Sequence, residues 1–166
     1  MSGEKIICLA ISEPNAGSDV SSITTKAIRD GADFIVNGEK TWIYNGSRAD
    51  FYTTAVRTGG EGRGGLSLLL TPRETLGLTQ AFLEKKPGLW TSDTVTLHFD
   101  NCSVPASNLV AQENFGFQAM MENFNLERLG VAASVLGITK CLYEETRKYF
   151  VERQAFGHSL RDHQVI

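Results

Sequence analysis

The residues best suited to chemistry in the first half of the sequence lie in a loop at positions 11–19. The loop reads Ile-Ser-Glu-Pro-Asn-Ala-Gly-Ser-Asp and follows an apolar stretch. Two interpretations are open. Asn15 and Asp19 can bond to nearby backbone in an ordinary surface turn. Alternatively, free N–H groups and the hydroxyls of Ser12 and Ser18 can face a phosphate or the polar edge of a ring. On residue types alone, the surface turn is favoured.

A glutamate in the second half of the sequence, Glu127, has a setting that suits a general base. Phe124 lies three residues before it and Val131 four residues after it, so the three side chains share one face of a helix. Partial desolvation on such a face makes a carboxylate a better proton acceptor near neutral pH. The alternative is an ordinary solvated glutamate on a helix surface.

The elements that must position these residues change character near residue 112. Before it, turn residues separate short β-rich stretches, which predicts an antiparallel β-barrel or an orthogonal β-sandwich. From 117 to 153 apolar residues recur every three or four positions without a proline, which predicts an amphipathic helix with Asn114 as its N-cap. We therefore predict an α+β chain, with a β domain at 1–112 and the start of an incomplete helical bundle at 113–166.

Four stretches define the expected β structure. Residues 6–11 are mostly apolar and predict a buried strand. Asp30-Gly31 stands between two β-rich stretches and is a hairpin signal. Residues 41–44 predict a short aromatic strand. The alternation at 94–99 predicts a strand with one buried face.

Composition excludes several classes of protein. The 166 residues are 42% apolar and 21% charged, which is typical of a soluble domain. With 16 basic and 19 acidic residues the net charge is −3, which argues against a general nucleic-acid binder. No apolar run reaches the roughly 18 residues of a membrane span. Three distant cysteines fit neither a disulfide framework nor a zinc site, so we expect a reducing compartment. The three histidines show no metal-ligand spacing, and no metal is predicted.

Motifs along the whole chain resemble the acyl-CoA dehydrogenase family. Residues 10–19 are similar to the first signature of that family. Further similarities follow in order at residues 34–46, 91–100, 104–105, 115–117, 127–128, 152–157 and 163–164. The resemblance implies the middle β domain of a three-domain fold, followed by the first long helix of the C-terminal bundle. Together with the apolar ending at Val165-Ile166, it leads us to expect a piece of a longer protein that is inactive in isolation.

The resemblance implies an oxidoreductase that acts on the CH–CH group of an acyl-CoA thioester and uses FAD. In the family a glutamate removes the Cα proton while hydride passes from Cβ to flavin N5, which yields the trans-2-enoyl-CoA of β-oxidation. Electrons then pass to an electron-transfer flavoprotein. The implied assembly is a homodimer or homotetramer with no membrane span, in a bacterial cytoplasm or a mitochondrial matrix.

The resemblance also assigns flavin contacts to the first half of the chain. Ser12 and Ser18 match positions that hydrogen-bond the flavin and its phosphates, beside Ile11, and Gly17 gives the backbone room to approach. Trp42 matches the indole that packs beside the isoalloxazine ring. Without the resemblance, an ordinary core aromatic would be the favoured interpretation of Trp42.

Further flavin contacts are implied at Tyr44 and near the end of the chain. Tyr44 stands where the family usually has a small hydroxyl residue near flavin N5, so its hydroxyl lies further from the backbone. Arg153 and Phe156 match residues that reach the FAD of a neighbouring subunit, and Gln164 is expected near the same FAD. An arginine paired with a pyrophosphate is chemically reasonable.

The catalytic and substrate residues are implied by the pair Glu127-Arg128. In long-chain and isovaleryl-type members the base lies on the first long helix, directly before an arginine, and Glu127 matches that position. In most of the family the base lies later, beyond the segment matched here, and that alternative stays open. Arg128, Asn125 and Ser18 are the predicted contacts to acyl-CoA.

Two other functions remain open at this point. One is an acyl-CoA oxidase, in which O₂ replaces the flavoprotein as electron acceptor. The other is a non-catalytic fragment, a β module with a helical tail that binds flavin weakly or not at all.

Overall fold

The structure is a computed structural model that describes residues 2–163, and these fall into two compact units that divide between Met120 and Met121. The first unit is built on a β-sheet and the second on a long helix, so the predicted α+β class is confirmed. The strands of the first unit are β1 (Ile7–Ala10), β2 (Lys26–Asp30), β3 (Asp33–Tyr44), β4 (Phe51–Arg57), β5 (Leu66–Pro72), β6 (Leu78–Phe82), β7 (Thr94–Pro105) and β8 (Leu109–Val110).

These eight strands form one sheet in the order β6-β7-β3-β2-β4-β5-β8, with β1 beside β4. This path has two ends and does not close on itself, so the strands form a sandwich and the barrel alternative is wrong. Most pairs are antiparallel, as predicted, but β1 runs parallel to β4 and β2 also meets β4 in parallel. Strand β5 pairs along all of β4 and occupies one of its edges. Both β1 and β2 must therefore share the other edge of β4, one after the other.

The core of the first unit is made by apolar side chains that alternate along the strands. The largest fully buried ones include Phe34, Val36, Tyr52, Val56, Leu66, Leu69, Val95, Leu97 and Val104. The prediction of a fully buried strand at 6–11 is wrong, because only alternate residues of β1 face the core while Ile7 and Leu9 are exposed. The prediction of a single buried face at 94–99 is also too simple. Thr94 and Thr96 on the other face are buried as well.

Strand β3, which like β7 has 12 residues, forms the predicted hairpin with β2 and contains a bulge. Asp30 pairs with Asp33 across Gly31, whose φ of 58° suits the left-handed conformation of a tight turn, so the hairpin is confirmed. The stretch 41–44 is not a separate strand but the end of β3. Between Lys40 and Ile43 two residues oppose one on β7, which is a β-bulge.

The helix α1 (Gly116–Glu152) spans 37 residues, close to the predicted 117–153. Asn114 is not at the N-cap position, because the helix begins at Gly116 and Phe115 directly precedes it. The backbone N–H of Asn114 donates to Ser67 Oγ on β5. Its side-chain oxygen accepts from the hydroxyl of Thr58. Asn114 therefore fastens the segment before the helix to the sheet. No helix within residues 2–163 combines the length and apolarity needed to cross a membrane.

The second unit consists of most of α1 and a small hairpin that follows it. The hairpin pairs β9 (Gln154–Ala155) with β10 (His158–Ser159). Ser159 Oγ donates to the carbonyls of Phe150 and Val151, which would otherwise be unpaired at the helix end. Large apolar side chains are exposed along α1, namely Leu126, Leu129, Val131, Val135, Leu136, Ile138, Leu142 and Tyr149.

Candidate functional site

The polar loop at 11–18 is a compact turn fastened to β3. Within it the N–H of Glu13 donates to the Ala16 carbonyl at 2.9 Å, and the Ala16 N–H donates back to Glu13. The Thr41 N–H donates to the Ser12 carbonyl at 2.8 Å. Lys40 Nζ donates to the Ile11 carbonyl at 3.0 Å. Two consecutive loop carbonyls are thus bonded to consecutive residues of β3.

A buried ion pair between Glu13 and Lys40 lies at the base of this loop. Lys40 Nζ is 2.8 Å from Glu13 Oε1, and the two side chains are 0% and 4% exposed. Oε1 also accepts from the Thr25 N–H, and Oε2 accepts from the N–H and hydroxyl of Thr24. Four hydrogen bonds saturate the carboxylate. Sequence analysis missed this pair, because Lys40 stands in a polar stretch of β3, beside Glu39 and Thr41, where a lysine is ordinarily exposed.

Both members of the pair are ionised at neutral pH. Burial by itself would raise the pKa of Glu13, but the charge of Lys40 and the hydrogen bonds from Lys40, Thr25 and Thr24 outweigh it and lower that pKa to about 2. Burial lowers the pKa of Lys40 to about 8 against the opposing charge and hydrogen bond of Glu13. A lysine with that pKa still carries its proton at pH 7.

The depressed pKa of Glu13 predicts an acid sensitivity. Its folded-state pKa is about 2, against 4.5 for the ordinary carboxyl, so its contribution to stability is complete above pH 4.5 and is lost as the pH falls through 2. We expect the free energy of unfolding to decline over that window, and Glu13→Gln to flatten the decline. Urea titrations at several pH values measure both slopes. Equal slopes in the two proteins would contradict the prediction.

The predicted flavin contacts of the loop differ in their accessibility. Ile11 is buried, Ser12 is half-buried, and Gly17 and Ser18 are exposed. Within residues 2–163 the hydroxyls of Ser12 and Ser18 have no hydrogen-bond partner, so they remain able to bind a polar ligand. Asp19 behaves as an ordinary turn residue, since its carboxylate accepts from the backbone and hydroxyl of Ser21.

Trp42 is held outward at the β-bulge beside this loop. Its side chain is 63% exposed, so the core-aromatic alternative is wrong. Its φ of 61° is unusual for a bulky residue, and such strain persists only where the surroundings enforce it. The N–H of the preceding residue, Thr41, donates to the Ser12 carbonyl, so Ser12 is bonded to the residue next to Trp42. Tyr44 is also exposed, and Lys86 Nζ lies 5.9 Å from the centre of its ring.

The predicted base, Glu127, and two of the predicted substrate residues, Asn125 and Arg128, lie close together on α1. Glu127 is exposed, and its Oε1 accepts from Asn123 Nδ2 at 2.6 Å. Arg128 Nη1 donates to Asn125 Oδ1 at 3.2 Å, so Arg128 and Asn125 also form a pair. Glu127 and Arg128 line an open groove with Phe124, Val131 and Ala132. The partial burial that we predicted for Glu127 is therefore not provided by α1 itself.

Arg153 and Phe156 belong to the hairpin that follows α1. Phe156 and Gly157 form its two-residue turn, and both have positive φ, as a type I′ turn requires. The turn leaves the Phe156 side chain 94% exposed. Arg153 is exposed at the end of the helix. Gln164 lies outside the described residues.

Metal binding gains no support from the described part of the chain. Among residues 2–163 no group of three or more His, Cys, Asp or Glu side chains could hold a metal ion. The cysteines there are free thiols, with Cys8 and Cys102 buried and Cys141 exposed.

Comparison with known families matches two parts of the chain. Residues 8–102 match the acyl-CoA dehydrogenase middle domain, and residues 114–166 match the acyl-CoA dehydrogenase C-terminal domain. An acyl-CoA dehydrogenase of Alternaria alternata is 40% identical over 99% of this chain and 38% of its own length. A cyclohexane-1-carbonyl-CoA dehydrogenase of Geobacter metallireducens is 41% identical over 94% of this chain and 41% of its own. The chain therefore spans about two fifths of the length of these curated relatives.

Solved structures show the same fold. The acyl-CoA dehydrogenase from Geobacillus kaustophilus superposes with a TM-score of 0.93 at 39% identity, over 98% of this chain and 43% of that one. A structure of the prolyl acyl carrier protein oxidase AnaB superposes with a TM-score of 0.90 at 30% identity, over 96% and 43%.

Proposed function

This chain belongs to the acyl-CoA dehydrogenase family, and from that premise we propose that the protein containing it is an FAD-dependent acyl-CoA dehydrogenase. The reaction is the α,β-dehydrogenation of an acyl-CoA thioester to the trans-2-enoyl-CoA. One observation carries the proposal. The strained Trp42 is held outward beside a loop whose serine hydroxyls are uncommitted.

The residues present fit FAD. The half-buried Ser12 and the exposed Ser18 offer free hydroxyls to the polar edge and phosphates of the cofactor, and the exposed indole of Trp42 offers a flat apolar face to a ring. Ile11, Gly17 and Tyr44 complete this set. Arg153, Phe156 and Gln164 are proposed to reach the FAD of a neighbouring subunit. When bound, FAD supplies the hydride acceptor of the reaction.

Glu127 is the proposed base that takes the Cα proton of the acyl-CoA. The hydrogen bond from Asn123 holds its carboxylate in one orientation before substrate arrives. Arg128, Asn125 and Ser18 are the proposed contacts to acyl-CoA, and Arg128 is proposed to lie near the CoA moiety. The guanidinium of Arg128 presents a planar fork of N–H donors and is therefore suited to a phosphate group.

The proposed partners follow from the same assignment. The acyl-CoA is the electron donor, and an electron-transfer flavoprotein is the proposed acceptor. We propose a homodimer or homotetramer, because Phe156 is almost fully exposed and large apolar side chains along α1 are exposed as well, as suits contact with further protein surface. A reducing compartment agrees with the free cysteines, and the relatives include bacterial and mitochondrial enzymes. We propose 1–112 as the middle domain and 113–166 as the start of the helical domain.

The proposal predicts that Trp42→Ala weakens FAD binding. Loss of the exposed indole should raise the FAD dissociation constant about tenfold, because ring stacking is worth on the order of 1 kcal/mol and the aromatic surface is lost as well. Titration of the full-length apoprotein with FAD, followed by flavin absorbance, measures the change. Trp90→Ala is the matched control, since Trp90 is also exposed. If Trp42→Ala and the wild type bind FAD with equal affinity, the flavin does not bind against Trp42.

An oxidase is the second candidate function. The similarity to the oxidase AnaB shows that this fold also occurs in an enzyme of that name. Aerobic turnover with production of H₂O₂, in the absence of a flavoprotein acceptor, would favour the oxidase. Turnover that requires the electron-transfer flavoprotein supports the dehydrogenase. Absence of any flavin spectrum after reconstitution would instead favour a non-catalytic protein.

A further inference from the structure

The Glu13–Lys40 ion pair has no part in the proposed chemistry, yet it is the most deeply buried pair of charges in the described structure. The Lys40 side chain is 0% exposed, so no ligand can reach its ammonium group. Any influence on the cofactor must therefore act through the groups that Lys40 and Glu13 hold.

We propose that the Glu13–Lys40 pair is a positioning device for FAD, which holds the loop at 11–18 against the bulge of β3 so that Ser12 and Trp42 face one ligand together. This inference rests on the proposed function, and it assigns a role in cofactor binding to two residues that do not touch the cofactor.

The lysine end of the pair orients the loop backbone. Lys40 Nζ bonds to the Ile11 carbonyl, and the next residue of β3, Thr41, bonds through its N–H to the Ser12 carbonyl. Both carbonyls therefore face the sheet, while the Ser12 hydroxyl is left uncommitted. Trp42 follows Thr41 directly, so the same contact joins the loop to the bulge.

The glutamate end of the pair fastens the loop from the other side. The carboxylate accepts three hydrogen bonds from Thr24 and Thr25, which lie just before β2. The loop is thus held between β2 and β3 by one side chain. Neither an amide nor an apolar side chain can replace it, since only a carboxylate accepts four such bonds and pairs with an ammonium group.

Stability alone does not explain a charged pair at this place. Two well-packed neutral residues of similar volume often stabilise a core as much as a buried ion pair does. The pair instead fixes the position of the backbone, because three of its hydrogen bonds are made to the Thr24 N–H, the Thr25 N–H and the Ile11 carbonyl. Displacement of binding groups by about 1 Å is enough to reduce the function of a site by up to about a hundredfold.

The double variant Glu13→Gln/Lys40→Met in the full-length protein tests the inference. It removes both charges and leaves no unpaired ion. We expect it to fold, with circular dichroism like that of the wild type, and to bind FAD about tenfold more weakly or worse. We also expect a changed flavin absorbance spectrum, which a purely structural role would not produce. The control Thr71→Val breaks a buried hydroxyl pair, in which Thr71 Oγ1 lies 3.0 Å from Thr54 Oγ1. Thr71 belongs to β5, which lies on the opposite side of β4 from β1, so this variant should lower the melting temperature without changing FAD affinity.

The possible results separate the two proposals. A folded double variant with wild-type affinity and spectrum overturns the inference and leaves the proposed function intact. A wild-type protein that binds no FAD overturns both. If the double variant fails to fold, Thr24→Val decides, because it removes only the hydroxyl bond to Glu13 from an exposed residue. Weaker FAD binding by Thr24→Val then supports the inference, and unchanged binding overturns it.

Discussion

Replacing Glu127 by glutamine is expected to lower kcat for acyl-CoA dehydrogenation by about 10²- to 10⁴-fold, the range that a general base contributes. The amide keeps the size and shape of the side chain but cannot accept the Cα proton. Binding of acyl-CoA should change little, because Arg128 and Asn125 are untouched. Stopped-flow reduction of the flavin measures the chemical step, and the flavin spectral shift on adding substrate measures binding.

A matched variant on the same helix separates catalysis from a general charge effect. Glu144 is an exposed glutamate of α1 that pairs with Arg147 one turn away. Glu144→Gln removes the same charge and should leave kcat unchanged. Near-normal turnover in the Glu127→Gln enzyme would show that the base lies outside this chain.

Replacing Lys40 by methionine alone is expected to reduce the free energy of unfolding by about 3–5 kcal/mol, the usual effect of breaking a buried ion pair. Methionine fills nearly the same space, so the loss comes from Glu13, whose carboxylate stays buried without its counter-ion. The protein can relieve the loss only by protonating Glu13 or by letting water into the loop. Urea unfolding followed by circular dichroism measures the change.

Two comparisons give this stability prediction its specificity. The double variant Glu13→Gln/Lys40→Met should recover most of the loss, because no buried charge is left unpaired. Lys5→Met breaks a pair with Asp50 at a similar distance, 2.9 Å, but Lys5 is largely exposed, so the free energy of unfolding should change little. A Lys40→Met protein as stable as Lys5→Met would show that burial of the pair contributes nothing.

Local patterns in the sequence predicted the types of the elements well. The apolar repeat of three and four positions and the absence of proline predicted a helix at 117–153, and α1 covers Gly116–Glu152. Asp30-Gly31 predicted the β2–β3 hairpin because a left-handed turn needs such residues. These features depend on neighbouring residues and can therefore be inferred from them. The motifs that resemble the acyl-CoA dehydrogenase family were equally local.

Partners that lie far apart in the sequence could not be predicted in this way. Nothing in the pattern of residues 6–11 indicates that β1 runs parallel to β4, some forty residues later, and leaves half of its side chains exposed. Trp42 had the residue type of a core aromatic, but the bulge against β7 turns it outward. The bulge exists because two residues of β3 oppose one residue of β7, and this depends on how two strands that are distant in the sequence pair.

The sequence by itself determined the family resemblance, the α+β class and the candidate site residues. Each of these depends on the types of residues that are close together in the chain. Only the tertiary structure decided which polar atoms of the loop at 11–18 are already bonded and which stay free. Glu13 and Lys40 are 27 positions apart, and their burial follows from the packing of β3 beside the loop. Burial and hydrogen-bond partners depend on where the folded chain brings distant segments together, and for that reason the positioning pair emerged only from the folded protein.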